Sequence, residues 1–211
     1  MIIVEQLTKR YGKATIFQDI NLCLRPGTIS GLVGENGCGK TTLMRCICGF
    51  SRPTSGKVTV LGKVIGRDMD FAPSTGIIIE NPGFLAHYSA RQNLALLAGI
   101  SGGATPARID EVIRQLGLDP DEKKPVGTYS LGMCQRLAIA QAIMEDPTVL
   151  ILDEPFNGLD KSGVSDIHLL LKKLRQDGKT ILLASHGALD IELACDTVYA
   201  FRQGRLAELV P

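Results

Sequence analysis

A chain of 211 residues with 45% hydrophobic content is long enough to bury one sizeable core and too short for two full domains. Its charge is balanced, 23 Lys and Arg against 22 Asp and Glu, which excludes general attraction to nucleic acid or anionic lipid as the basis of function. The six cysteines (Cys23, Cys38, Cys46, Cys48, Cys134, Cys195) have no CxxC or His-bearing zinc spacing and read as reduced thiols. Glu5 and Lys9 stand where a signal peptide needs apolar residues, and no uncharged run is apolar enough to span a bilayer. The expectation is a soluble cytoplasmic protein.

In chain order, Met1 to Leu24 carries short alternating pieces broken at Tyr11-Gly12-Lys13, the pattern of an antiparallel edge layer. Ile29–Val33, Gly76–Ile79, Val149–Leu152 and Thr180–Ala184 are apolar on both faces, as buried parallel strands are. Between Arg91 and Asp146 the period becomes helical, with Leu94, Leu97, Ala98, then Ile109, Val112, Ile113, Leu116. The fold class is therefore α/β, a mostly parallel sheet with an antiparallel N-terminal layer and an inserted helical subdomain. As a single domain, 1–211, it divides into a RecA-like core, 1–84 and 147–211, and a helical part, 85–146. Internal repeats are absent, and with short strand-like pieces at Tyr199–Phe201 and Gly204–Leu209 the expectation is a cassette without a C-terminal regulatory domain.

Gly34-Glu35-Asn36-Gly37-Cys38-Gly39-Lys40-Thr41 fits G-x-x-x-x-G-K-[ST], with the strand Ile29–Val33 before it and the helical run Thr42–Cys48 after it. Such a loop turns successive N–H groups onto phosphate oxygens, and the helix start adds roughly half a positive charge there. Lys40 is suited to β- and γ-phosphates, and Thr41 to Mg²⁺. The strand Val149–Leu152 ends in Asp153-Glu154, where parallel sheets bind ligand. Asp153 is suited to the metal's water shell and Glu154 to the attacking water.

Tyr129-Ser130-Leu131-Gly132-Met133, followed by Cys134-Gln135-Arg136, resembles the signature segment of ABC ATPases. With the phosphate loop, the acidic strand, the turn Asn157-Gly158-Leu159-Asp160 and Ser185-His186 in that family's order, the resemblance runs nearly end to end. It implies a head-to-tail dimer, with a second copy or a sister cassette, sandwiching two ATP. In that arrangement Ser130, Gly132 and Met133 at a helix start meet a nucleotide held by the other subunit. It also implies that His186 contacts the γ-phosphate, Asp160 communicates across the dimer, and Thr42 closes the cradle. Tyr11, 29 positions before Lys40, stands where an adenine-stacking aromatic is expected, with Phe17 as the other candidate. His87 and His168 are left as ordinary surface or core histidines.

Two departures stand out. Glu80 occupies a position where the family usually has a glutamine reaching Mg²⁺, and a carboxylate there adds negative charge beside the γ-phosphate unless a cation offsets it. Glu80 is nonetheless a candidate catalytic and metal residue. Leu131 and Met133 also replace the commonest signature residues. These features resemble the bacterial branch that handles bacitracin and lantibiotics, implying an exporter whose transmembrane permease subunit is a separate chain landing on Glu80 to Tyr88. Soluble relatives with tandem cassettes or a long coiled coil are disfavoured, because the 113 residues from Lys40 to Asp153 hold only the helical part. Nothing suggests nucleic acid as a partner, and membrane contact would run only through the permease. In the dimer, Cys38 and Cys134 would come from opposite subunits, close enough for an oxidative cross-link to be considered.

Overall fold

The computed structural model describes residues 1–80, 83–185, 191 and 193–209. Strands β1 (Ile2–Tyr11) and β2 (Ala14–Leu24) form an antiparallel hairpin, joined on the far side of β1 by β4 (Ser55–Val60) and then β5 (Lys63–Val64). The second sheet contains β3 (Ile29–Val33), β6 (Thr75–Ile78), β7 (Val149–Asp153), β8 (Thr180–Ala184), β9 (Thr197–Arg202) and β10 (Arg205–Leu209). Its order is β10-β9-β3-β8-β7-β6, parallel throughout except for the antiparallel edge strand β10. This is the expected α/β architecture, mostly parallel with an antiparallel N-terminal layer.

Side-chain alternation along the central strands divides the interior in two. Ile29, Leu150, Leu152, Ile181 and Leu183 face α2 (Ala90–Ser101), α3 (Pro106–Gln115), α4 (Leu131–Ile143) and α5 (Lys161–Gln176). Leu32, Val149, Ile151, Leu182 and Ala184 face α1 (Lys40–Cys48) and the antiparallel sheet. Because both faces of these strands are covered, they are apolar without alternation in sequence. For the same reason their ends are among the few places where polar groups collect.

Local chemistry fixes where the helices begin. Ser89 and Gln92 form a reciprocal capping box on α2, Thr105 caps α3 ahead of Pro106, and Ser130 and Asp160 cap α4 and α5. Gly76 seats α4 against β6, since a β carbon there would overlap the Ala142 carbonyl oxygen. Three elements went unnoticed in the sequence: β4, β5 and α5. The first had a legible signal, Val58 and Val60 buried on alternate positions, and α5 had another in Ile167, Leu170 and Leu171. Among the described residues no helix is long and apolar enough to cross a membrane.

Candidate nucleotide site

The phosphate loop runs from the end of β3 into α1. Gly39 precedes α1 at φ 117 with Ile16 and Phe201 packed where a β carbon would sit, so the tight entry into the helix requires glycine. Lys40 is buried, and its Nζ donates to the carbonyl oxygens of Gly34 at 2.7 Å and Glu35 at 3.2 Å, with Cys38 Sγ at 4.0 Å. The ammonium thus lies inside the curl of the loop, while Glu35, Asn36 and Gly37 are exposed at its rim. Thr42 is half-buried just inside the helix.

The loop meets the acidic strand end directly. Thr41 Oγ1 donates to Asp153 Oδ2 at 2.5 Å, joining residues 112 positions apart. Burial pushes the Asp153 carboxyl above its ordinary range, the Thr41 hydrogen bond opposes this, Glu154 adds to it, Lys40 opposes and Glu80 adds. Three carboxylates and the loop lysine therefore share one electrostatic neighbourhood. Among the described residues no cluster of His, Cys, Asp or Glu is built to cage a metal by itself. Thr41 and Asp153 fit a magnesium ion that arrives with phosphates, because hard oxygens are its preferred ligands and a divalent charge would relieve the buried carboxylate.

That burial has a testable cost. A carboxyl whose folded value is raised holds its proton more tightly when folded, so it costs stability once pH rises above the ordinary carboxylate range. Asp153→Asn is expected to raise the melting temperature of the nucleotide-free protein at neutral pH, with the gain shrinking as pH falls through that range. The same variant is expected to lose magnesium-dependent nucleotide binding. Thermal unfolding across pH, with and without Mg²⁺ and ATP, checks both.

Glu154 leaves β7 at φ 51, its N–H bound to the Ala184 carbonyl oxygen at 2.8 Å. Gln135, one turn into α4, donates from Nε2 to the carbonyl oxygens of Glu154 at 3.3 Å and Pro155 at 3.1 Å. Leu131 packs over Gly158, and Gly132 lies against its carbonyl oxygen. The start of α4 is therefore tied to the loop that carries Glu154. Sequence reading missed Gln135 as a supporting residue, although it stands in the quoted segment; only the fold reveals a contact 19 positions away.

The other residues singled out in the sequence have distinct surroundings. Tyr11 is 51% exposed, its ring lies under Lys9 Nζ at 4.5 Å, and its hydroxyl is 3.3 Å from Ser51 Oγ. The ring is thus steadied by Lys9 and Ser51 while about half of its surface stays open, as a stacking aromatic requires. Phe17 is fully buried against Phe201 and offers no stacking surface. Ile16, not singled out in the sequence, is the side chain beside Gly39.

Met133 gives its backbone N–H to Ser130 Oγ at 3.2 Å and packs against the core; Ser130 and Leu131 are the exposed positions of the signature turn, with Gly132 and Met133 half-buried. Asp160 accepts from Gly163 N at 2.8 Å and from Ser162 Oγ, and the Gly163 contact foremost holds its carboxyl below the ordinary range. Its visible role is as the cap of its own helix. Cys134 is half-buried and packs against the core, and burial pushes its thiol up, which disfavours the thiolate. His168 is buried edge-on to Phe156, a core histidine. His186 lies outside the described residues.

The segment before α2 is held by a residue the sequence did not advertise. Buried Asn93 accepts from Leu85 N–H at 2.8 Å and donates to the carbonyl oxygens of Leu85, Tyr88 and Ser89. Val126 and Gly127 then donate to the Tyr88 and Ala86 carbonyl oxygens, stitching this loop to the approach to Ser130. Phe84 packs inward, whereas Leu85 and Tyr88 are exposed, so the expected landing surface is split between core and exterior.

A phosphate loop on a parallel sheet, facing an acidic strand end and carrying a capped signature helix, defines an ATP-binding cassette. The sequence model of the ABC transporter family matches residues 17–157, and the chain belongs to that family as an ATP-binding, ATP-hydrolysing cassette. It is 41% identical over its whole length to the bacitracin transport ATP-binding protein BcrA of Enterococcus faecalis, covering 69% of that protein. It is 34% identical over 98% of its length to the lantibiotic transport ATP-binding protein SrtF of Streptococcus pyogenes, covering 89% of it. The dimeric structure of MJ0796, a bacterial ABC transporter cassette, superposes with a TM-score of 0.88 at 23% identity over the full length of both chains.

Proposed function

We propose that this cassette works at the cytoplasmic membrane face as the ATP-driven engine of a bacterial exporter for antimicrobial peptides, on a separate permease. The observation that carries the catalytic part is the Thr41–Asp153 hydrogen bond, which joins the phosphate loop to the acidic strand end. In this reading Gly34 to Thr42 hold the triphosphate, with Lys40 turning from the Gly34 and Glu35 carbonyls to phosphate oxygens. Thr41, Asp153 and Glu80 hold Mg²⁺, which when bound neutralises charge on the transferring phosphoryl group. Glu154 orients and deprotonates the attacking water, and His186 assists at the γ-phosphate. Ser130 and Gly132 of a second cassette, at the exposed positive end of α4, close the site.

The dimer is supported by the exposed start of α4, with Leu131 58% accessible, and by likeness to a cassette that is itself dimeric. The names of the two relatives support the peptide class. A permease contact is supported by a groove of about 350 Å³ lined by Phe50, Ile77, Leu97 and Ala142 together with polar Gln141 and Glu145, next to exposed Phe71, which packs edge-on to Phe50. Apolar surface of this kind marks a partner site. Magnesium-dependent ATPase of the purified chain, measured against protein concentration, tests the dimer. Activity per chain that rises with concentration is expected; a strictly constant value would overturn the shared-site mechanism.

A further inference from the structure

The parallel register that sets Ile78 beside Leu152 brings Glu80 level with Glu154 as the two strands end. Both residues turn out of their strands at left-handed backbone angles, φ 63 for Glu80 and φ 51 for Glu154. Adjacent parallel strands lie about 4.8 Å apart, so two carboxylates leave the sheet as neighbours, with Asp153 as a third. Across from them, Arg45 follows Thr41 by one helical turn on the same face of α1. Its Nη2 lies 2.6 Å from Glu80 Oε1. The cation needed to offset Glu80 is therefore supplied by the phosphate-loop helix itself, from the same face that carries the Thr41 hydroxyl.

We propose that Arg45 is a positioning residue for Glu80, a latch that holds its carboxylate against α1 in the nucleotide-free site and yields it when a divalent cation arrives with nucleotide. The inference rests on the magnesium-nucleotide reading of this site. The side chains of the pair are 38% and 63% exposed, and ion pairs so open to water are weak, so this one can exchange partners where a buried pair could not. Held by Arg45, Glu80 neither repels an incoming triphosphate nor completes a metal site prematurely. Released, it becomes a hard oxygen ligand beside Asp153 and Thr41. The latch thus makes metal and nucleotide bind together, each favouring the other.

Arg45→Met, Arg45→Lys, Glu80→Gln and Arg45→Met/Glu80→Gln separate the possibilities through two readouts that need no turnover. One is binding of Mn²⁺ alone, and the other is binding of a fluorescent ATP analogue in the presence of EDTA. Arg45→Met is expected to tighten Mn²⁺ about fivefold or more and to weaken metal-free nucleotide binding by a similar factor. Arg45→Lys should restore much of both, and the double variant should behave as Glu80→Gln alone. If Arg45→Met matches wild type in both readouts, or shifts them equally when Glu80 is already Gln, the latch is wrong. If wild type itself fails to bind the nucleotide analogue even with Mg²⁺, it is the underlying ATP reading that fails.

Discussion

Glu154→Gln is expected to bind ATP as wild type does and to hydrolyse it about 10²–10⁴-fold more slowly, the usual loss when a general base is removed. The separation of binding from rate follows from the geometry. The backbone of Glu154 is held by Ala184 through its N–H and by Gln135 through its carbonyl, and neither contact involves the carboxylate. An amide of the same shape therefore leaves both backbone contacts in place and removes the oxygen that takes the proton. Single-turnover hydrolysis with nucleotide affinity measured in parallel checks this. A rate within a few-fold of wild type would move the base to another residue.

Lys40→Ala acts on the other side of the ledger: nucleotide binding itself is expected to fall by about 10²-fold or more. Each hydrogen bond from an ammonium to a charged oxygen is worth about 1.5–3 kcal/mol, and two phosphates are at stake. About 3 kcal/mol corresponds to about two factors of ten. The lysine is already buried, and on binding it exchanges its bonds to the neutral Gly34 and Glu35 carbonyls for stronger ones to charged phosphate oxygens. Equilibrium binding of a fluorescent ATP analogue measures the loss, and an affinity within threefold of wild type would deny Lys40 its place in the cradle.

The parts of this molecule that could be read from sequence are those whose chemistry is local. The phosphate loop is a run of consecutive residues between a strand and a helix, and the covered strands are continuous apolar runs, so β3 and β8 fall on the residues expected of them. Residues acting across long separations were hidden. Arg45 is unremarkable on α1 until β6 brings Glu80 to it, Gln135 until β7 presents the Glu154 carbonyl, and Asn93 until the loop before α2 folds back. Tyr11 was legible as an aromatic at a set offset from the loop, whereas its contacts with Lys9 and Ser51 were not. Asp160 was singled out for a role across the dimer, and the cap it makes on the first turn of its own helix was not foreseen.

The composite site is tested most directly by mixing two inactive variants. Lys40→Ala spoils the cradle and leaves the start of α4 intact. Ser130→Arg fills the outward end of α4 and leaves the cradle intact, at a capping cost of about 1 kcal/mol that the fold can absorb. If each nucleotide is held by one chain's loop and closed by its neighbour's helix, a mixed dimer contains one site with both halves sound. ATPase activity should then reappear on mixing two preparations that are each inactive alone. If the mixture stays as inactive as its components while both variants are shown to associate, each chain completes its own site and the shared mechanism is contradicted.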